Sequence, residues 1–199
     1  MGMRKLVVSM NITLDGYLSG PDCELDWHFN AWTQEMGAAL CDELSKADTI
    51  LLGRKTYDAM AAFWPSKETD PFCSGEDFAF AYMMNSYRKI IISGTLRSTS
   101  WSNSELAPGN IEDEIRALKT ASGKNIIVYG SARLVDTLIS AGLVDEYQLW
   151  IHPVVLGTGK QMFNQHPPVK LALNMELGDV RKFSSGVLLL NYRPLGSST

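Results

Sequence analysis

Residues 49–60, TILLGRKTYDAM, place two cations at the expected start of a helix. An apolar, strand-like run ends at Gly53 and is followed by Arg54, Lys55 and Thr56. A helix N-terminus already carries partial positive charge, so the two cations oppose it by roughly a few tenths of a kcal/mol. A bound anion would reverse that sign, because guanidinium, ammonium, hydroxyl and backbone N–H groups all bind phosphate oxygens. Two interpretations stay open: a phosphate site, or solvated surface cations with Thr56 as a cap.

Residues 126–135, IIVYGSARLV, repeat this pattern of a buried strand, a turn of small residues and a basic first helical turn. The turn is not a G-x-G-x-x-G motif, since positions 132 and 135 are Ala and Val. Two such helix N-termini in one sheet could hold two phosphate groups of one dinucleotide. Taken alone, the segment is equally typical of an ordinary strand-to-helix turn. A third turn, residues 93–95, could supply a hydroxyl to the Arg54 site.

The polar excursion over residues 10–29 carries several carboxylates, of which Asp26 lies beside Trp27 and His28. Functional loops are often of this kind. A partly buried acid next to an aromatic ring could hydrogen-bond an N-heterocycle or have a raised pKa. The alternative is that Asp26 caps the helix expected over 29–47.

Other residue types exclude several classes of site. The three histidines, His28, His152 and His166, form no metal-ligand spacing, and the three cysteines form no C-x-x-C pair, so no metal site is expected. The His-Pro pairs at 152–153 and 166–167 are predicted to be turns. The sequence contains neither a P-loop nor a G-x-S-x-G elbow.

Composition predicts an ordinary globular protein. The chain has 199 residues, of which 45% are hydrophobic and 20% charged, which fits a single domain over 1–199. With a net charge of -4, a broad nucleic-acid-binding surface is not expected. No apolar run approaches the ~18 residues of a membrane span. The N-terminus lacks the signal-peptide pattern, so a cytoplasmic location is expected.

Four short apolar runs indicate strands that are buried on both faces, as in a parallel sheet covered by helices: residues 6–8, 50–52, 90–92 and 126–128. The last third changes character, because alternating apolar residues follow one another without a long helix. This pattern predicts antiparallel strands near residues 147–151, 169–175 and 187–190. The expected fold class is therefore α/β, with a mostly parallel central sheet and antiparallel C-terminal strands.

Helical periodicity occurs between these runs. Apolar residues at spacings of three and four predict a helix over 29–47. Asn110 is the predicted cap of a second helix, and a third is expected from about Gly130 to Gly142. Residues 65–77, with two prolines and several charges, are predicted to form a surface loop.

Six motifs occur in an order that resembles the dihydrofolate reductase-like superfamily, and in particular the branch of the reductase domain of bacterial riboflavin biosynthesis, the RibD C-terminal domain. They are LDGYL, GPD…LDW, LLGRKTY, IIISGTL, VYGSARLVDTL and LVDEYQLWIHPVVLGTG. The resemblance covers about residues 4–193. It implies a three-layer αβα fold that binds NADPH.

The resemblance also implies roles for individual residues. The GRKT turn, residues 53–56, would bind cofactor phosphates, with Arg54 and Ser93 near the adenosine 2′-phosphate. Residues 129–134 would surround the pyrophosphate, and Leu18 would flank the nicotinamide. The complete set carried over as cofactor-binding is Leu18, Gly53, Arg54, Lys55, Thr56, Ser93, Gly94, Thr95, Tyr129, Gly130, Ser131, Ala132, Arg133 and Leu134.

The sequence thus predicts an NADPH-dependent reductase that acts on a small heterocyclic or carbonyl substrate, with Asp26 as the catalytic proton donor or relay. Trp32 stands where dihydrofolate reductases carry the acid that anchors the pterin, which argues against folate. Two alternatives stay open: a nucleotide-binding module without redox turnover, and an assembly protein in which neither turn binds an anion. The apolar C-terminal strands and the resemblance predict a homodimer.

Overall fold

The computed structural model describes residues 3–72, 75–163 and 173–195. Apolar runs of β-branched and leucine residues form most strands of one large sheet, as their burial on both faces requires. Two short strands, residues 17–19 and 160–161, pair antiparallel with each other in a separate sheet. The strands are β1 (Leu6–Thr13), β2 (Tyr17–Ser19), β3 (Ala47–Gly53), β4 (Arg88–Ile92), β5 (Ser104–Leu106), β6 (Asn125–Val128), β7 (Glu146–His152), β8 (Lys160–Gln161), β9 (Met175–Lys182) and β10 (Leu188–Pro194). The α-helices are α1 (Gln34–Ser45), α2 (Arg54–Lys67), α3 (Gly75–Ser86), α4 (Ile111–Thr120) and α5 (Ala132–Ser140).

The central sheet has the strand order β5-β4-β3-β6-β1-β7-β10-β9. The first six of these strands pair in parallel, whereas β10 pairs antiparallel with both β7 and β9. This arrangement confirms the predicted fold class. Strand β7 pairs antiparallel with β10, as predicted, and its other side pairs parallel with β1. The parallel pairing arises because α5 precedes β7 and carries the chain back to the edge where the other parallel strands begin.

Helices cover both faces of the sheet. On one face α4 and α5 contribute Ile115, Leu134 and Leu138 to a core shared with β1, β6 and β7. On the other face α1, α2 and α3 bury residues such as Leu44, Tyr57 and Met84 against β3 and β4. The molecule therefore has the three layers that the resemblance implies.

Two helical predictions need correction. The stripe expected as one helix over 29–47 forms a 3-10 helix, Asp26–Ala31, and then α1, because Trp32 adopts an extended conformation between them. The prediction of a loop over 65–77 is wrong at both ends, and residues 73–74 of it lie outside the described residues. Helix α2 continues through Pro65 to Lys67, and α3 begins at Gly75 because Phe80, Ala81 and Met84 bury a face in the core. The predicted Asn110 cap is confirmed, since its Oδ1 accepts a hydrogen bond of 2.8 Å from the Glu112 N–H.

A fully buried lysine holds the end of α3 against the sheet. Lys89 Nζ donates to the carbonyl oxygens of Met84, Asn85 and Tyr87 at 2.7, 3.1 and 2.8 Å. The ammonium also lies 4.5 Å from the centroid of the Trp101 ring. The last carbonyls of a helix lack intrahelical partners, so this charge supplies donors that they need. No sequence pattern indicates this role.

Strand β9 is the outermost strand on one side of the sheet, and its residues Leu177 and Val180 are 48% and 54% exposed. The homodimer predicted from these strands stays a prediction. The predictions for Cys73, His166 and Val169 concern positions outside the described residues. None of the described helices combines the length and the apolar character that crossing a membrane requires.

Candidate functional site

The carboxyl ends of five adjacent strands, β4, β3, β6, β1 and β7, lie along one edge of the sheet, because all five are parallel. The three turns singled out in the sequence follow β4, β3 and β6. Gly53 is the last residue of β3 and is paired with Ile92, so the 93–95 turn lies directly beside Arg54. Ligands of open parallel sheets bind at this edge.

The two predicted phosphate turns are in direct contact. The N–H of Gly53 donates to the carbonyl of Gly130 at 2.9 Å. A Cβ on Gly53 would lie 2.5 Å from Ser131 Oγ and 3.0 Å from its backbone nitrogen. Gly130 has φ +118°, and a Cβ there would lie 3.0 Å from Thr56 Oγ1. Glycine at both positions therefore permits an approach that a side chain would prevent. The Gly130–Ser131 peptide is cis.

Helices α2 and α5 also leave their first N–H groups without a protein anion. Their N-cap residues, Gly53 and Ser131, make no side-chain capping hydrogen bond, and neither helix has an acid in its first turn. Helix α4 differs, because it has both the Asn110 cap and three first-turn acids. The two helix N-termini that face the same edge of the sheet are thus the ones that can accept an external anion.

The basic and hydroxyl residues of the β3 and β4 turns are accessible. Arg54 is exposed, and its Nη1 lies 3.6 Å from Asp58 Oδ2, an exposed pair that contributes little to stability. Ser93 Oγ accepts hydrogen bonds from the N–H groups of Thr95 and Leu96 at 3.2 and 2.9 Å. These bonds fix the turn in which Gly94 and Thr95 are exposed.

Three of the predicted cofactor-binding residues direct their side chains into the core. Leu18 and Leu134 belong to the apolar cluster beneath α4 and α5. The Tyr129 ring packs with the cluster on the other face, 6.2 Å from the Phe80 ring, and burial raises the pKa of its hydroxyl well above the usual value. Leu18 and Leu134 are buried, so only their backbone is available to a ligand, whereas Tyr129 is partly exposed and Ser131 and Arg133 keep accessible side chains.

The carboxylate-rich first loop is tied down by Asp15. Its Oδ1 accepts from the Thr13 hydroxyl at 2.6 Å, and its Oδ2 accepts from the Gly157 N–H at 2.8 Å. The Thr13 hydrogen bond and the backbone N–H groups hold the pKa of Asp15 below its usual value. The loop that follows β1 is therefore fastened to the loop that follows β7.

The structure brings Lys160 and Cys23, which the sequence did not indicate, close to the predicted cofactor-binding residue Lys55. Lys160 Nζ contacts Cys23 Sγ, and Lys55 Nζ lies 4.0 Å from the same sulfur. The first loop thus crosses in front of α2, and two lysines from distant segments converge there. Lys160 could not be found from spacing, because 105 residues separate it from Lys55 (160 − 55).

Asp26 does not have the environment predicted for it. The sequence predicts a partly buried acid, but the residue is exposed at the start of the 3-10 helix. It does not cap α1 either, since Thr33 occupies the N-cap of that helix. The ring beside it is the buried one: Trp27 is 8% exposed and packs inward. The catalytic role of Asp26 stays a prediction.

The buried titratable group near this edge is His152, which the sequence predicted to be a turn residue. His152 is instead the last residue of β7 and is completely buried. Its Nε2 is 2.9 Å from Asn11 Oδ1, and its ring lies 5.2 Å from Trp27 and 6.2 Å from His28. Burial, and then the charge of His28, lower the pKa of His152 to about 4.

We expect His152→Gln to flatten the pH dependence of stability. The unfolded imidazole protonates as the pH falls through about 6.5, whereas the folded one stays neutral until about 4. Between about pH 6.5 and about pH 4 the unfolded chain therefore binds more protons than the folded one. As the pH falls through this window, the free energy of unfolding decreases by up to about 1.4 kcal/mol per pH unit. Urea titrations at intervals from pH 7 to pH 4 measure the slope. Equal slopes in the two proteins would contradict the prediction.

A mostly parallel central sheet with antiparallel C-terminal strands and helices on both faces is a dihydrofolate reductase-like fold. The model of the RibD C-terminal domain matches residues 4–189, and the chain belongs to that family.

One relative is similar in sequence, and two solved structures share the fold. The uncharacterized protein YyaP of Bacillus subtilis (strain 168) is 37% identical over 189 residues, which span 95% of this chain and 94% of that protein. A pyrimidine reductase-like protein from Corynebacterium diphtheriae NCTC aligns with a TM-score of 0.64 at 14% identity, covering 96% of this chain and 92% of its own. Dihydrofolate reductase from Enterococcus faecalis, complexed with NADP(H), aligns with a TM-score of 0.61 at 11% identity, covering 97% and 98%.

Proposed function

We propose that this protein is an NADPH-dependent reductase that acts on a small heterocyclic or carbonyl compound. The observation that carries the proposal is the contact between the Gly53 and Gly130–Ser131 turns, which places two uncapped helix N-termini side by side. Such a pair suits a pyrophosphate, because each terminus offers free N–H groups and partial positive charge. Family membership and the NADP(H) complex of the Enterococcus faecalis enzyme support the choice of nucleotide.

The residues present fit a dinucleotide phosphate. Gly53 and Gly130 let the two turns touch, and residues 53–56 and 129–134 would hold the pyrophosphate through N–H and hydroxyl groups. Arg54 and Ser93 would bind an additional phosphate on the ribose, because the ends of β3 and β4 bring them to the same place. NADPH, when bound, supplies a hydride to an electrophilic C=N or C=O group of the substrate.

The remaining residues of this edge would position the substrate. The Asp15 hydrogen bonds fasten the first loop, and buried Trp27 and His152 form an apolar wall at the end of β7. A wall of this kind excludes water from a reacting centre. At neutral pH the buried imidazole of His152 is neutral, so this wall carries no charge at that position.

Asp26 is the acid that we propose as the source or relay of the substrate proton. Since it is exposed, this role requires the ligand or a movement of the first loop to bring the carboxyl into the site. Asp26→Asn is expected to lower kcat by about 100-fold or more, the usual contribution of a general acid. Single-turnover oxidation of NADPH measures this step. An unchanged rate would remove Asp26 from the mechanism.

Arg54→Gln is expected to weaken NADPH binding at least tenfold and to leave NADH binding unchanged, because only NADPH carries the 2′-phosphate. Calorimetric titration with both nucleotides measures the difference. Arg116→Gln, an exposed arginine of α4 on the opposite side of the sheet, is the matched control. If the Arg54 substitution weakened both nucleotides equally, the arginine would not be the residue that selects NADPH.

Turnover of NADPH with a panel of dihydropterins, ribosylamino-pyrimidines and simple carbonyls tests the proposal as a whole. Consumption of NADPH with one member of the panel supports the reductase. A second candidate is a nucleotide-binding module without turnover, which the exposure of Asp26 favours, since a sensor needs no proton donor. That candidate predicts that NADPH raises the melting temperature but is never consumed. Failure of both NADPH and NADH to raise it would overturn both.

A further inference from the structure

A second concave site lies at the opposite edge of the sheet, where β1, β3, β6 and β7 begin. Its volume is about 200 Å³, and its floor includes the buried side chains of Val7 and Ile127. Helix α1 ends just above it at Ser45. This cavity is separate from the candidate cofactor site, because parallel strands place their two ends on opposite edges of the sheet.

The inner wall of the cavity is polar where the same sheet face is apolar further along. Gln148 and Asn191 are direct cross-strand partners, and the next inward pair, Trp150 and Leu189, is buried and apolar. Gln148 is 4% exposed, and its Nε2 donates to Glu43 Oε2 at 2.6 Å.

Two oxygens on this wall have no hydrogen-bond donor. Gln148 Oε1 and Asn191 Oδ1 are buried and find no partner among the residues described. Leaving such an acceptor unpaired is unfavourable by about 1–3 kcal/mol. Both residues line the cavity, and an N–H group brought within hydrogen-bond distance of these oxygens would supply the missing donor.

Charges in the cavity are ordered from inside to outside. The acids Glu43 and Glu146 are mostly buried, with side chains 13% and 15% exposed. The cations Lys5 and Arg193 pair with Glu146 at 3.2 and 3.7 Å but are 46% and 61% exposed, so they stand at the mouth. Lys46, 2.9 Å from Glu43, is similarly exposed. Acceptors therefore lie inside, whereas the mouth carries the cations together with one exposed acid, Asp179.

We propose that this cavity binds a small zwitterion of amino-acid size. Its ammonium group lies inside, where it donates to Gln148 Oε1, Asn191 Oδ1 and the Glu43 carboxylate. Its carboxylate lies at the mouth, close to Lys5 and Arg193. A dication is disfavoured by the cations at the mouth, and a simple anion would leave the buried oxygens unpaired. The ligand is recognised by ammonium and carboxylate together.

The probes are glycine, β-alanine and 4-aminobutyrate, which differ in the spacing of the two charges. Ethylamine and propionate carry one charge each and serve as matched controls. Calorimetric titration of the full chain is expected to show at least one zwitterion binding tenfold or more tightly than either control, with or without saturating NADPH. Absence of binding by all three zwitterions, or equal binding by ethylamine, would overturn the proposal.

Two variants test the assignment of residues. Gln148→Leu is expected to weaken the bound zwitterion at least tenfold, whereas Gln34→Leu, which also removes a glutamine bonded to a glutamate, is expected to leave binding unchanged. Lys5→Glu changes only an exposed side chain and is expected to weaken the zwitterion at least tenfold without weakening ethylamine. Undiminished zwitterion binding in both Gln148→Leu and Lys5→Glu would overturn the site.

Discussion

Gly53→Ala is expected to weaken NADPH binding at least 100-fold, a loss of about 2.7 kcal/mol. The added Cβ would lie 2.5 Å from Ser131 Oγ and 3.0 Å from Ser131 N. The serine side chain can rotate away, but the backbone nitrogen moves only with the turn that it belongs to. The substitution therefore separates the two turns whose contact forms the proposed pyrophosphate site. Overpacking of this kind also destabilises the fold by about 1–3 kcal/mol.

Gly109→Ala is the matched control, because Gly109 lies outside the proposed nucleotide site and an added Cβ would meet nothing within 4 Å. We expect this variant to bind NADPH within threefold of the wild type. Circular dichroism and a urea titration of Gly53→Ala separate lost binding from lost folding. A folded Gly53→Ala variant that binds NADPH normally would show that the two turns do not form the nucleotide site.

Lys89→Met is expected to lower the free energy of unfolding by about 3 kcal/mol. Methionine fills a similar volume but donates no hydrogen bond, so the buried carbonyls of Met84 and Tyr87 lose this donor. The Asn85 carbonyl keeps other donors, from Ser102 and Asn103. The cation–π contact with Trp101 is lost as well. For a chain of this size the melting temperature is expected to fall by about 6–12 °C.

Lys67→Met provides the comparison, since Lys67 also places its ammonium near an aromatic ring, 5.2 Å from Phe63, and pairs with Asp70 at 3.0 Å. That lysine is partly exposed, so its loss is expected to change stability by less than about 1 kcal/mol. Urea midpoints with unchanged m-values measure both effects. If the two variants lost similar amounts of unfolding free energy, the burial of Lys89 would make no extra contribution to stability.

Much of the fold and part of the site follow from local features of the sequence. The apolar runs near residues 6, 50, 90 and 126 are the parallel strands, because a strand buried on both faces needs apolar residues at consecutive positions. The Asn110 cap and the glycine-containing turns are equally local, since each depends on the conformation of only a few residues. These features were sufficient to place the two turns that are predicted to bind an anion at one edge of the sheet.

What the sequence could not indicate depends on contacts between distant segments. The parallel pairing of β7 with β1 depends on how the α5 crossover returns the chain to the sheet. The burial of His152 and the exposure of Asp26 depend on the packing of the Trp27 ring, which turns inward from the first loop. The approach of Lys160 to Cys23 joins segments more than 100 residues apart (160 − 23 = 137).

The sequence by itself thus determined the class of fold, the positions of the turns and the sign of their charge, because propensity, periodicity and charge are properties of neighbouring residues. Only the tertiary structure decided that Gly53 touches Ser131, that Lys89 binds the end of α3, and that Gln148 and Asn191 face a cavity. Each of these depends on a distance of a few ångströms between residues far apart in the chain, and such distances are set only when the layers pack.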